Sequence, residues 1–279
     1  MERVKITFIG GGNMACSLVG GLLSGGFNGH GIVISDPDSE KAAALRQRFP
    51  NIEITNNNVT AASGADVIVM AVKPQRLKMV AQELAPALNG SDAFILSIAA
   101  GIREADLNQW LGGDRAVVRT MPNTPALIQS GATALYANQQ VSESQRGIAE
   151  SIMRAVGLTL WLDDEAQMDV VTALSGSGPA YFFLIMEALE DAACQLGLDR
   201  ESARLLTLQT AFGATKMALE SDESCATLRA QVTSPGGTTE QAIKAFEDGG
   251  LRALFDNAVS AAHQRSIELA NQLGNSRNG

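Results

Sequence analysis

The sequence predicts an α/β protein: a Rossmann-type, doubly wound, mostly parallel sheet followed by an all-helical C-terminal domain. Three observations carry that expectation. An apolar strand runs straight into a glycine-rich turn and an amphipathic helix. Further apolar strands then alternate with helical segments, and after Asp163-Asp164-Glu165 the strand signal stops. The expected domains are therefore 1–163, binding a dinucleotide, and 164–279, helical.

Residues 4–9 read as a buried strand, and Gly10-Gly11-Gly12-Asn13-Met14-Ala15 follows at once. Met14, Leu18, Leu22 and Leu23 then recur at helical spacing until Ser24-Gly25-Gly26. This is G-x-G-x-x-A in its strand–turn–helix setting. Gly10 makes the tight turn, Gly12 lets a pyrophosphate approach the backbone, and Ala15 allows close helix–strand contact.

The second strand, 32–35, ends in Asp36-Pro37-Asp38, with a helix over 39–49. Asp36 stands where an acid takes a ribose 2′-hydroxyl and repels the 2′-phosphate of NADP. Equally, Asp36 or Asp38 prepares the next helix N-terminus. Strands at 67–72, 94–98 and 116–119 follow, with helices over 74–88 and 103–111 between them. These strands run into Lys73-Pro74, Ala99-Ala100-Gly101 and Met121-Pro122-Asn123-Thr124-Pro125. Each unusual cluster thus sits at the carboxyl end of a strand, where a doubly wound sheet binds its ligand. Segments 132–136 and 158–162 close the sheet, with a helix over 142–155.

In the helical half, a short helix over 167–174 is followed by an apparent break at Ser175-Gly176-Ser177-Gly178-Pro179. Pro179 suits the first position of a helix over 180–196. Gly197 ends that helix, and Asp199 caps another running to about Leu219. Tyr181, Phe182, Phe183, Leu184 and Met186 give an apolar surface too continuous for a small helical half to bury. A subunit interface is expected, in a homodimer or a ring of dimers; the alternative is an intrachain core. Helices over 239–247 and 251–273 complete the chain.

Between them lies Val232-Thr233-Ser234-Pro235-Gly236-Gly237-Thr238-Thr239. Pro235-Gly236-Gly237 makes a sharp turn, and Thr238 or Thr239 then caps the next helix, with Glu240 in its first turn. Such a turn either points several N–H groups outward as an anion site or is an ordinary capped turn. Lys and Arg are absent from 231–243, so an anion held here is small and bound by backbone amides.

Composition narrows the classes. A net charge of −9 over 279 residues argues against nucleic acid or an anionic membrane as partner. Cys16, Cys194 and Cys225 are odd in number and scattered, which fits a reducing compartment without disulfides or a cysteine zinc site. No signal-peptide pattern opens the chain, and the most apolar run, 180–186, is too short for a bilayer, so a soluble, cytoplasmic protein is expected. His30 and His263 lack partners at metal or triad spacing, and no strand precedes Gly176-Ser177-Gly178 to make a nucleophile elbow. The remaining hydroxyls, amides and glycines suit positioning a substrate against a cofactor.

Residues 10–15, Ala71-Val72-Lys73-Pro74, Ser97-Ile98-Ala99-Ala100-Gly101, Met121-Pro122-Asn123-Thr124-Pro125, Ser175-Gly176-Ser177-Gly178-Pro179-Ala180-Tyr181 and Ser234-Pro235-Gly236-Gly237-Thr238-Thr239 resemble, in that order, pyrroline-5-carboxylate reductase. The resemblance covers nearly the whole chain, and the last motif, followed by Glu240-Gln241-Ala242-Ile243, is its most specific part. It implies hydride transfer from NAD(P)H to the C=N carbon of 1-pyrroline-5-carboxylate, giving L-proline in the last step of proline biosynthesis. It also implies dimerisation through the helical half, with the active site at that interface near the nicotinamide.

Carried over by position, Ile9, Gly10, Gly11, Gly12, Asn13 and Met14 would hold the pyrophosphate. Asn58 with Ala71, Val72, Lys73 and Pro74 would take the adenosine side, and Ala99, Ala100 and Gly101 the nicotinamide side, with Asn123 among the cofactor residues. Val232, Ser234, Gly237 and Thr238 would hold the substrate carboxylate, and Thr239 would hydrogen-bond the ring nitrogen as the catalytic residue. The resemblance favours NADP(H), yet Asp36 stands where a smaller neutral residue is common and favours NAD(H). Lys41, Arg46 and Arg48 are placed to reach a 2′-phosphate, so both cofactors stay open. Two rival readings remain. A β-hydroxyacid dehydrogenase would need a lysine base, for which Lys216 is the candidate, although Thr215 and Met217 beside it mark no site. The other is a non-catalytic dinucleotide-binding sensor.

Overall fold

The computed structural model describes residues 4–274. These fall into two compact units: one runs to Ser177 and resumes at Ala262, and the other is Gly178–Ala261.

The first unit is built on strands β1 (Ile6–Ile9), β2 (Ile32–Ser35), β3 (Glu53–Thr55), β4 (Val67–Met70), β5 (Phe94–Ser97), β6 (Val117–Met121), β7 (Gly131–Ala137) and β8 (Gly157–Trp161). Helices α1 (Asn13–Ser24), α2 (Ser39–Arg48), α3 (Asn58–Ala62), α4 (Pro74–Leu84), α5 (Glu104–Trp110), α6 (Glu143–Arg154) and α7 (Gln167–Val171) accompany them. The strands form one sheet in the order β3-β2-β1-β4-β5-β6-β7-β8. All neighbours run parallel except β6 and β7.

Unbroken apolar runs make β1, β4 and β5 the centre of the sheet, buried along their whole length. Successive side chains alternate between two cores. Phe8, Val67, Val69 and Leu96 pack with Leu18, Leu22, Ile152 and Met153 of α1 and α6. Ile9, Ile68, Met70 and Ile95 pack on the other face with Leu77, Leu84, Leu107 and Trp110 of α4 and α5. The strand order reverses between β1 and β4, the switch point where a doubly wound sheet opens a crevice at its strand carboxyl ends.

The fold expected from the sequence is the fold observed, with additions. β3, α3 and a later helix carry weak local patterns and do not emerge from periodicity. Residues 164–177 pack within the first unit, where Met168 and Ala173 are buried. Ser175-Gly176-Ser177 is not a simple break. Thr172–Gly176 forms a π-helical turn, closed by Ser177 N–H donating to the Thr172 carbonyl at 2.8 Å.

The second unit holds α8 (Gly178–Gln195), α9 (Arg200–Glu220), α10 (Cys225–Gln231), α11 (Thr238–Asp248) and the first part of α12 (Leu251–Gly274). Asp199 caps α9, accepting from Ser202 N–H at 2.9 Å. Among Gly178–Ala261 only Gly178 and Ala203 are buried. Phe182, Phe183 and Leu184 stay 63–65% exposed, so no intrachain core covers them. Helical residues Gln167–Gln195 have the length and mean hydropathy (29 residues, 1.2) to cross a membrane, a longer stretch than the apolar run 180–186 suggests. Glu187, Glu190 and Asp191 lie within it.

Candidate active site

The turn after β1 is shaped by a close backbone approach. Gly10 sits at φ +102, and a Cβ there would meet the Ala71 carbonyl oxygen at 2.7 Å. Only glycine fits this crossing of the β1 and β4 ends. The turn is fastened by Gly10 N–H to the Ser35 carbonyl and Ala71 N–H to the Ile9 carbonyl, both 2.8 Å. Gly12 is the N-cap of α1 and no side chain caps that end. A Cβ on Gly12 would meet nothing within 4 Å, so the space over the bare helix N-terminus is open. Asn13 is exposed and Met14 half-buried beside it. Uncapped N–H groups, the positive end of a twelve-residue helix and an open approach fit a pyrophosphate.

The neighbouring strand ends complete the crevice. Lys73 is the N-cap of α4, again with no side-chain cap, and Pro74 opens that helix. Ala99 is buried, and Gly101 at φ +71 lies under α12, where a Cβ would meet the Leu273 side chain at 3.3 Å. Arg103 donates to the Asn271 side chain at 2.8 Å and holds the same helix over this turn.

Two expected cofactor residues have their amides engaged within the protein. Asn58 accepts from the Ser35 hydroxyl at 2.7 Å and donates to Glu83 at 3.3 Å. Asn123 donates to the Ser175 carbonyl at 3.1 Å and accepts from Ala132 N–H at 2.9 Å. Both therefore brace the loops that line the crevice.

Asp36 is not an open carboxylate. It is only 5% exposed. One oxygen accepts Gly11 N–H at 2.9 Å and pairs with the Lys41 ammonium at 2.7 Å, while the other accepts Asp38 N–H at 3.1 Å. Burial pushes its pKa up, but Lys41 and the Gly11 and Asp38 amides outweigh that and hold it below the usual carboxylate value. Asp38, not Asp36, caps α2. Beneath the turn, Cys16 points its thiol at the Gly11 carbonyl, 3.7 Å away, and burial raises its pKa.

In the second unit, Ser234-Pro235-Gly236-Gly237 is a turn with Gly236 at φ +73 and Gly237 N–H donating to the Ser234 carbonyl at 3.0 Å. Neither Thr238 nor Thr239 caps α11. The N-cap is Gly237, the threonines are the first two helical residues, and no side chain caps this end. Glu240 instead reaches back to accept Gly236 N–H at 2.9 Å. The helix starts earlier than threonine cap preference suggests, and neither threonine hydroxyl is used in capping it. Val232, Ser234 and Thr238 are exposed; Gly237 and Thr239 are half-buried. Lys216 is 58% exposed and paired with Glu220 at 3.7 Å, a solvated helix pair rather than a poised base.

Sequence reasoning misses one buried polar cluster. Arg119, 4% exposed in mid-strand, donates to Glu165 at 2.9 Å, and Glu165 also accepts Glu104 N–H at 2.6 Å. Asn138 donates to Glu104 at 2.6 Å. Tyr136, paired with Arg119 across the β6–β7 ladder, has its pKa raised by burial and by Glu165, Glu104 and Asp164. A lone arginine inside an apolar strand is the only signal the sequence offers.

Comparison with known proteins agrees with this geometry. Residues 165–269 match the family described as pyrroline-5-carboxylate reductase dimerisation, and residues 5–101 that described as NADP oxidoreductase, coenzyme F420-dependent. The chain is 56% identical to a pyrroline-5-carboxylate reductase of Pseudomonas aeruginosa, over 98% of this chain and 100% of that protein. The structure is similar to that of a pyrroline-5-carboxylate reductase from Coxiella burnetii, with a TM-score of 0.92 at 49% identity, covering 96% of this chain and 98% of that one. It is also similar to Plasmodium falciparum pyrroline carboxylate reductase with NADP bound, with a TM-score of 0.85 at 30% identity over 97% and 99% of the two chains.

Proposed function

The chain belongs to the pyrroline-5-carboxylate reductase family, and from that premise we propose how its own residues serve the reaction. The reaction is reduction of the C=N bond of 1-pyrroline-5-carboxylate to L-proline, at the expense of NAD(P)H. The nicotinamide cofactor supplies the hydride when bound. The protein's task is to hold both partners and control the proton at the ring nitrogen.

The bare N-terminus of α1, with Ile9, Gly10, Gly11, Gly12, Asn13 and Met14, holds the pyrophosphate. Ala71, Val72, Lys73 and Pro74 flank the adenosine side, and Ala99, Ala100 and Gly101 the nicotinamide side. Asn58 and Asn123 act through the loops they brace.

The observation that carries the substrate assignment is the uncapped start of α11 in a stretch free of lysine and arginine. Its N–H groups, framed by Val232, Ser234, Gly237 and Thr238, take a single small carboxylate. Thr239 Oγ, not engaged in capping, orients the ring nitrogen, accepting from the iminium or donating to the neutral imine. Residues 231–243 contain no histidine, so the proton comes from solvent.

The apolar residues of α8 belong to an interface with a second copy, in a homodimer or a ring of dimers. The dimerisation-family match, residues 165–269, includes Gln167–Gln195, and subunit association accounts for the apolarity of that stretch. A soluble, cytoplasmic enzyme without nucleic-acid or membrane partners fits this reading and the net charge of −9.

The test is to add 1-pyrroline-5-carboxylate to purified protein with NADPH or NADH and follow cofactor oxidation together with proline formation. One proline per cofactor oxidised is expected. Cofactor oxidation without proline, or none, sinks the reading.

A further inference from the structure

We propose that Lys41 sets the cofactor preference of this chain by cancelling the charge of Asp36, so that the end of β2 accepts a 2′-phosphate as well as a 2′-hydroxyl. The proposal rests on the reading of the Gly10–Gly12 turn as the dinucleotide site, and it assigns that site a discriminating residue.

An acidic residue after the second strand ordinarily offers a free carboxylate to the ribose and repels a phosphate there. Asp36 has no such freedom. Its two oxygens are occupied by Gly11 N–H, Asp38 N–H and the Lys41 ammonium, at 2.9, 3.1 and 2.7 Å. It is therefore an anchor for the glycine turn, and the charge it brings is matched where it lies.

Lys41 is the cation that matches it. Its side chain is 43% exposed while its ammonium touches Asp36. The other two cations of α2 are committed elsewhere: Arg46 donates to the Ile54 carbonyl at 3.1 Å, and Arg48 lies over the Phe49 ring at 5.2 Å. The acids nearby in sequence are Asp38, whose side chain caps α2, and Glu40 in its first turn. Lys41 is the one ion-pair partner of Asp36 among the described residues, so without it Asp36, Asp38 and Glu40 would lie at this corner with no cation in contact with Asp36, a field that disfavours the two extra charges of a 2′-phosphate.

The experiment measures equilibrium binding of NADPH and NADH by quenching of protein fluorescence, without substrate, with thermal melting to confirm folding. Lys41→Met should raise the Kd for NADPH at least about tenfold relative to NADH, because it uncovers a carboxylate close to the phosphate. Lys41→Arg should keep the wild-type ratio. In an Asp36→Asn background the same Lys41→Met change should have little effect on the ratio, since no charge is left to uncover. An unchanged ratio in Lys41→Met overturns the proposal. A full effect persisting in Asp36→Asn also overturns it, making Lys41 a direct phosphate ligand instead. Gly12→Val separates the underlying reading: it should abolish binding of both cofactors, and if it does not, the glycine turn is not the site whatever Lys41 does.

Discussion

Ser266 donates its hydroxyl to the Asp169 carboxylate at 2.6 Å, with both side chains buried. The bond ties the last helix, α12, to α7 within the first unit, and the same part of α12 covers Gly101 through Leu273. Helix α12 thus reaches the Ala99-Ala100-Gly101 turn from a position fixed by a polar pair.

Ser266→Ala should therefore destabilise the protein by about 1.5–3 kcal/mol, the range for a hydrogen bond to a charged group. Ser266→Thr should recover most of that. Denaturant unfolding at one fixed protein concentration reads it out, because subunit association otherwise shifts the apparent stability. Equal midpoints and slopes for wild type and Ser266→Ala would show that the bond contributes nothing net.

The second prediction concerns acid. The folded-state pKa of Asp36 lies below its unfolded value, because Lys41 and two backbone amides outweigh the cost of burial. The stability it contributes is complete above the unfolded carboxylate value of about 3.9 and is lost as pH falls through the lower folded value. Asp36→Asn should flatten the acid side of the stability profile below about pH 4 and leave the neutral-to-basic side parallel to wild type. A variant whose profile keeps the wild-type acid slope would remove Asp36 from the account.

The sheet was legible because buried parallel strands are unbroken apolar runs, and residues such as Ile6, Phe8, Val67 and Leu96 announce them. β3 was not, since of Glu53, Ile54 and Thr55 only Ile54 is buried. The π-helical turn at Thr172–Gly176 reads as a break because serine and glycine usually stop helices. Here Thr172 and Ser175 return their hydroxyls to the Met168 and Val171 carbonyls, at 2.8 and 3.1 Å. The cap of α11 was misread for a related reason. Threonine is a favoured cap, but Glu240 reaching back to Gly236 moves the helix start up to Thr238. The sequence places Asp36 directly after β2 but does not show its burial, which depends on Gly11, twenty-five residues earlier. Motif spacing locates groups; it does not say which way they face.

The third prediction is oligomeric. With only Gly178 and Ala203 buried in the second unit, an isolated chain leaves Phe182, Phe183 and Leu184 in water. Leu158 and Leu160 on the edge strand β8 are likewise 67% and 58% exposed. Sedimentation should show a dimer or larger at micromolar concentration. Phe183→Asp should shift it toward monomer and reduce activity with it. A fully active wild-type monomer would refute the interface.

The last prediction is Thr239. Hydride adds readily to an imine only when its nitrogen is protonated or strongly hydrogen-bonded, and residues 231–243 supply no histidine for that. Because Gly237 rather than a threonine is the N-cap, removing the Thr239 hydroxyl costs α11 no capping bond, so a loss of activity can be read as a loss at the substrate. Thr239→Val keeps the shape and removes the hydroxyl. It should lower kcat/KM by about 10- to 100-fold, equivalent to a lost hydrogen bond of roughly 1.5–3 kcal/mol, with cofactor binding intact. Thr239→Ser should retain most activity. Equal rates for wild type and Thr239→Val would reject the role. A loss of about 10³- to 10⁴-fold would instead place Thr239 in proton transfer, since general acid–base catalysis typically contributes 10²–10⁴.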